Sequence, residues 1–453
     1  LSPDLDLSTV SHHPALEEIV DILCSKTQNT DRGFFRTEVA YFFAKMAATM
    51  RATIQTKDRG EMPVNIYALA LATSGYGKGH SVNIMEEEFL AGFKQRFMQD
   101  TFPVIAEQGL WDIANGNAAR NGTDQQEEFD KVSKEFRKYG AYPFTFDSGT
   151  APAVKQLRQK LLMALCGSVN LQIDEIGSNL IKETELLTLF LELYDQGLVK
   201  QKLIKNTTDQ ERAEEREGKT PTNMLLFGTP AKLFDGSATE DEFYSFLETG
   251  YARRCIFGYG VHNNRSNQNQ TAEEIFVSLT QPKNEVLVEK WQRHFYTLAD
   301  PAIHGWKMEV PDSVSIALLA YRLECEKAAD RMSDHEEIKK AELNHRYSKA
   351  IKLSRQDVRP RGDQEGRAEP PLLQGHQAGR RLCLHRRIHR GPDGAPERRH
   401  QAGRGVGCGI PDDPQPREDL REAGEVHLQH RHGSDPRRSA GGPALLQVQQ
   451  AGP

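Results

Sequence analysis

Residues 64–71 read Val-Asn-Ile-Tyr-Ala-Leu-Ala-Leu, an uncharged and largely apolar run. It breaks directly into Ala72, Thr73, Ser74, Gly75, Tyr76, Gly77, Lys78, Gly79, His80 and Ser81. Such a run, opened by Pro63 and closed by glycines, suits a strand buried on both faces, as in a parallel sheet. Helical spacing then predicts a helix from 82 to about 98. Strand, glycine-rich turn, Lys and helix in that order point to a phosphate-binding loop. The glycines let backbone N–H groups face an anion, the helix N-terminus adds partial positive charge, and the Lys neutralises β- and γ-phosphates. Gly75, Gly77, Lys78 and Gly79 are the expected contacts. The match to G-x-x-x-x-G-K-[ST] is incomplete, because Ala72 stands for the first Gly and Gly79 for the hydroxyl residue that meets Mg²⁺. His80 or Ser81 is the expected substitute. A glycine-rich turn with an exposed Lys is the plainer alternative.

Three further segments fit the same chemistry. Residues 168–175 read as a strand ending in Asp174 and Glu175, 96 residues beyond Lys78. Asp174 would hold Mg²⁺, directly or through water, and Glu175 would polarise an attacking water. Residues 223–230 read as another strand, which offers Asn223 and Thr229 as sensors of a γ-phosphate. Arg253 and Arg254 precede an apolar strand, and a guanidinium there could reach a γ-phosphate across a subunit interface. Each has an ordinary reading: solvated carboxylates at a strand end, a strand-to-turn junction, a surface Arg pair. Together, in this order, they predict hydrolysis of a nucleoside triphosphate, with ATP and Mg²⁺ as ligands.

Around these motifs, residues 14–55 read as helices, with a second helix from about 36 to 53. Residues 112–140 read as a polar helical insertion or hairpin, and 143–146 as a strand. Helices are expected over 151–165 and 186–194, a charged loop over 206–219, and helices again over 272–353. Strands alternating with helices predict an α/β fold with a mainly parallel sheet. The expected organisation is a helical region to 60, an ATPase core over 61–262, a helical region over 263–354 opening on a polar linker at 263–270, and a tail from 355.

Composition separates that tail from the rest. Of 453 residues, the last 99 contain no Lys, Phe, Tyr, Trp, Met, Asn or Thr, yet hold 17 Arg, 15 Gly and 11 Pro. Such a segment cannot bury enough apolar surface to offset its ordering entropy, so disorder is expected. The net charge is −10 for 1–354 and +4 for the tail. Arg, Gly, Pro and Ala have GC-rich codons, so a shifted reading frame explains the mixture. Read one base later, residues 425–428 become Lys or Arg, then Phe, Ser, Tyr or Cys, then Ile or Thr. A basic tail that binds nucleic acid is the alternative. The N-terminus, beginning at Leu1, is read as truncated. No run approaches the roughly 20 apolar residues of a transmembrane helix. Cys24, Cys166, Cys255 and Cys325 form no CxxC pair, so free thiols in a reducing cytoplasm are expected.

The motif set resembles the phage and prophage P-loop proteins that often lie downstream of a primase domain and act as primase-helicases or replicative helicases. The resemblance covers roughly residues 60–353. Asp147-Ser148-Gly149-Thr150-Ala151-Pro152 is similar to the family's Asp-x-x-Thr-Pro turn, with one residue inserted. Residues 173–177 are similar to its Asp-Glu-hydrophobic-Gly segment, and residues 250–254 to its Gly-x-x-x-Arg stretch. It implies a P-loop NTPase core, RecA-like or AAA+-like, flanked by helical N- and C-terminal regions. It also implies a cytoplasmic DNA helicase that moves on single-stranded DNA as a homo-oligomeric ring, with a primase or polymerase as partner and no membrane. Arg253 or Arg254 would complete a neighbour's site. Lys200, Lys202 and Lys205, with Gln196 and Gln201, form the expected DNA-contacting loop, or simply a solvated helix end. A packaging motor, an AAA+ remodeller and a non-hydrolysing nucleotide-binding scaffold are the competing readings.

Overall fold

The computed structural model describes residues 12–177, 183–200, 216–260, 270–280 and 282–354. All fall in one unit, Leu1–Ile388. The expected tail from 355, with its disorder and its shifted frame, lies outside the described residues. So do most of the linker at 263–270 and Gln201, Lys202 and Lys205 of the basic loop.

The strands are β1 (Thr53–Thr56), β2 (Gly60–Pro63), β3 (Tyr67–Leu71), β4 (Val169–Ile173), β5 (Thr222–Gly228), β6 (Cys255–Tyr259) and β7 (Lys307–Glu309). Four of them build the central sheet in the order β4-β5-β3-β6, all parallel. The fold is therefore α/β, with a four-stranded parallel sheet and mostly helical surroundings. Every residue of β3 and β5 is buried, as the uncharged run at 64–71 requires. Three buried asparagines pin the N-terminal side of the sheet. Asn65 Nδ2 donates to Thr222 O at 2.8 Å, Asn170 Nδ2 to Phe144 O at 2.8 Å, and Asn223 Nδ2 to Asn170 Oδ1 at 3.0 Å. Each amide thereby recovers the hydrogen bonds that burial removes.

The helix Arg32–Thr49 is capped by Asp31, whose carboxylate accepts from Phe34 N at 3.1 Å. It is buried from Phe34 to Thr49 and packs against β3, β5 and β6. Two of its basic residues are matched inside the protein: Arg36 meets Glu17, and Lys45 donates to Glu86 Oε1 at 2.8 Å and Gln172 Oε1 at 2.6 Å. The expected helix from 36 to 53 thus begins and ends four residues earlier, because the Asp31 cap rather than the apolar repeat sets its start.

Elsewhere the structure departs from sequence expectation for physical reasons. The helix expected over 82–98 begins at Lys78 and leads, through π-helical stretches Ile84–Phe89 and Phe97–Thr101, into Phe102–Asn121. With Gln125–Lys138 it makes the expected hairpin. The strand expected at 143–146 reduces to one parallel bridge, Phe146 to Leu171. A second sheet, β2-β1-β7, had no strong signal. Its strands are short and polar, and β7 pairs with β1 from some 250 residues away. Among the described residues, no helix is long and apolar enough to cross a membrane.

The final helix, Glu337–Ser354, packs on Asp312–Asp330 and carries a buried charge cluster. Glu342, Arg346 and Lys349 are each under 5% exposed. Lys349 Nζ donates to Glu342 Oε1 at 2.7 Å and to Cys255 O at 3.1 Å, which ties this helix to β6. Removing one member of such a cluster leaves buried charge uncompensated. Glu342→Gln is expected to lower unfolding free energy by about 3 kcal/mol, read as a reduced denaturant midpoint at unchanged slope.

Candidate functional site

The candidate site lies beyond the C-terminal ends of β3, β4 and β5. Parallel register sets Leu71 opposite Gly228 and Ile173 opposite Leu226, so the segments after these strands converge. A Cβ at Gly228 would lie 2.6 Å from Leu233, 2.8 Å from Leu71 and 3.1 Å from Ile176, so a larger residue there would have to displace these packed side chains. Beyond Leu71 the chain turns through Gly75 and Gly77, at φ 76° and 97°, backbone values that favour glycine. Gly77 then caps the helix that begins at Lys78, with no side chain bonded to the cap.

A cavity of about 360 Å³ opens here, lined by the loop from Ser74 to His80 and by Asp174, Glu175, Thr229 and Lys232. Lys78 Nζ donates to Ala72 O at 3.0 Å, Gly228 O at 3.4 Å and Thr229 Oγ1 at 3.2 Å. Glu175 Oε1 accepts from Thr229 N at 3.2 Å, and Oε2 from Thr229 Oγ1 at 2.8 Å. Lys232 Nζ is 3.5 Å from the same Oε2. Burial lowers the Lys78 pKa, and Lys232 adds to this; Glu175 and Asp174 oppose it. Burial pushes Glu175 up, but the Thr229 hydrogen bonds and the two lysines outweigh it and hold the carboxyl below its ordinary value. The cavity therefore offers an ionised carboxylate, a second exposed carboxylate and two ammonium groups.

The structure thus gathers Gly75, Gly77, Lys78, Gly79, His80, Asp174, Glu175 and Thr229 around one cavity. It does not bring the other candidates there. Ser81 is fully buried, and its hydroxyl donates to Glu38 Oε2 at 2.7 Å, so it is no pocket ligand for a metal. The helix turns it away from the cavity, toward the helix Arg32–Thr49. Asn223 sits at the other end of β5, buried, with Oδ1 accepting from Ile66 N at 3.0 Å, so it senses nothing in the cavity. Arg253 and Arg254 precede β6 at the N-terminal edge of the sheet. Five strand residues, roughly 17 Å of extended chain, separate them from the cavity of their own chain. Arg254 Nη2 pairs with Asp195 at 2.9 Å, and the side chain lines a different cavity, of about 770 Å³, beside Lys200. Cys24, Cys166 and Cys255 are thiols that burial pushes up to about 12, unsuited to nucleophilic work.

Sequence reasoning missed three groups. Lys232 gave no motif signal. Tyr76 is buried within the loop: its hydroxyl donates to Asp31, its carbonyl accepts from Asn29 Nδ2 at 3.0 Å, and its ring meets Phe34 edge-on. An aromatic between two glycines was the available hint. Glu38 lies directly behind the loop helix, without exposure.

For a divalent cation the donor set is small. Among the described residues, no group of three His, Cys, Asp or Glu side chains could hold a metal. Mg²⁺ needs less, since it is commonly held by one or two carboxylates plus substrate phosphates and water. Asp174, exposed at the cavity wall, fits that role. No family model matches the chain, and no curated protein or solved structure shows detectable similarity to it.

An unfolded Glu titrates near 4.5, whereas burial pushes Glu38 up to about 8, partly offset by the Ser81 hydrogen bond. Between these values the folded state keeps a proton that the unfolded state has lost, so stability falls as pH rises through the window. Glu38→Gln is expected to flatten this dependence. Urea midpoints of the two proteins, compared from about pH 5 to pH 8, check it.

Proposed function

We propose that the chain is a P-loop ATPase, and that it serves as a replication helicase acting on single-stranded DNA. The observation that carries the ATPase reading is the convergence of Lys78, the Gly75–Gly77 turn, Asp174, Glu175 and Thr229 at the carboxyl ends of parallel strands. In open parallel sheets, ligands bind in that crevice where successive crossovers leave in opposite directions. Here β4 lies two places to one side of β3, and β6 on the other side. The helicase assignment rests on the motif resemblance.

In this reading the backbone of Gly75, Gly77 and Gly79 and the ammonium of Lys78 hold the β- and γ-phosphates. Mg²⁺ at Asp174 would neutralise phosphate charge. Glu175 accepts a proton from water as the water oxygen bonds to the γ-phosphorus and the bond to the β-phosphate oxygen breaks, giving ADP and phosphate. Thr229 orients Glu175 and, through Lys78, feels the presence of the γ-phosphate. Arg253 and Arg254 can act only from a neighbouring copy in a ring, given their place at the far edge of the sheet. A setting in the host cytoplasm beside a primase or polymerase belongs to the same reading. Gly79 and the buried Ser81 favour a second one, a nucleotide-binding scaffold that does not hydrolyse.

ATP turnover with and without single-stranded DNA, for the native protein and Lys78→Ala, tests this. Turnover stimulated by DNA and reduced at least a hundredfold or so in the variant is the expected result. Turnover indifferent to DNA would point to another motor, and a folded protein without turnover to the scaffold. Strand displacement on a forked duplex then reads helicase action itself.

A further inference from the structure

Resting on the triphosphatase reading, we infer that Lys232 is a second phosphate-binding cation, supplied within the chain, that contacts the γ-phosphate and makes the site selective for triphosphates over diphosphates. Lys78 Nζ, Thr229 Oγ1, Glu175 Oε2 and Lys232 Nζ form a continuous chain of contacts, at 3.2, 2.8 and 3.5 Å. Both ammonium groups therefore face one cavity, no more than three such contacts apart, on the two sides of the proposed general base.

The backbone of Lys232 is fixed while its side chain is free to move. It lies on the short helix Pro230–Leu233, where Lys232 N donates to Thr229 O at 2.9 Å and the next residue, Leu233, is fully buried against the Gly228 crossing. The side chain itself is 66% exposed, and its contact with Glu175 is long. Such an exposed pair is worth little and is easily exchanged. Without ligand, the cavity balances Lys78 and Lys232 against Asp174 and Glu175. A terminal phosphate entering beside Glu175 is a stronger partner for Lys232 than one carboxylate. Lys232 moves to the phosphate, and Glu175 Oε2, which keeps its hydrogen bond from Thr229 Oγ1, can accept a water in the place of the ammonium. Arg253 and Arg254 of the same chain stand a strand's length away and cannot provide that charge.

The test uses Lys232→Ala, Lys232→Arg and Lys78→Ala, with ATP turnover and equilibrium binding of ADP and of a non-hydrolysable ATP analogue. Lys232→Ala is expected to lower kcat by about tenfold, less than loss of a buried oxyanion donor. It should weaken the ATP analogue while leaving ADP affinity unchanged, and Lys232→Arg should restore most of both. Lys78→Ala should weaken both nucleotides. If Lys232→Ala matches the native protein in kcat and in its ATP-to-ADP preference while Lys78→Ala is inactive, the role of Lys232 is overturned and the ATPase reading stands. If Lys78→Ala turns over and binds both nucleotides like the native protein, the ATPase reading falls, and the role of Lys232 with it.

Discussion

The parallel pairing of β3 with β5 brings Leu71 opposite Gly228, where an added β-carbon would press on the side chains of Leu233, Leu71 and Ile176. Leu71, Ile176 and Leu233 close over that glycine, and three segments that line the cavity leave from the contact: the glycine loop after Leu71, the carboxylates before Ile176, and Thr229 with Lys232 around Leu233. Lys78 donates to the carbonyl of Gly228 itself. A close-packed interior transmits small displacements instead of absorbing them. The spacing of Lys78, Glu175 and Thr229 thus rests on apolar packing beneath the cavity as well as on the polar contacts inside it.

A second layer of support comes from the N-terminal helices. The turn between Pro14–Thr27 and Arg32–Thr49 grips the glycine loop through Asn29 and Asp31, joined by Phe34 of the second helix, all acting on Tyr76. Behind the loop, Glu38 is fully buried and accepts from Ser81, and its Oε1 has no partner among the described residues. A buried carboxyl in such surroundings holds its proton to higher pH. The residues before 60 are thus part of the site's framework, although the sequence presents them as a separate helical region.

The pocket residues were legible to an uneven degree. Gly75, Gly77 and Lys78 stood out because a strand buried on both faces ended in glycines, a local pattern. Asp174, Glu175 and Thr229 were legible because they follow apolar strands, so their place at strand ends needed no tertiary knowledge. Ser81 was misjudged because helical periodicity, not proximity to Lys78, fixes which way a side chain points. Asn223 was misjudged because one strand has two ends, and only register tells which end meets the cavity. Lys232 was invisible: one exposed lysine among many gains meaning only from Glu175 at 3.5 Å. The sheet of β1, β2 and β7 was missed because its strands are short and polar and because β7 pairs with β1 across most of the described chain.

By itself the sequence determined the alternation of strands and helices, the parallel class of the sheet and the glycine turn that leads into Lys78. Those depend on local spacing and on backbone freedom at glycine. Tertiary structure alone decided the strand order, the closure around Gly228, the removal of Ser81 from the pocket and the placing of Arg253 and Arg254 at the far edge. These follow from which strands lie side by side and in what register, and that is settled by packing among residues distant in the chain.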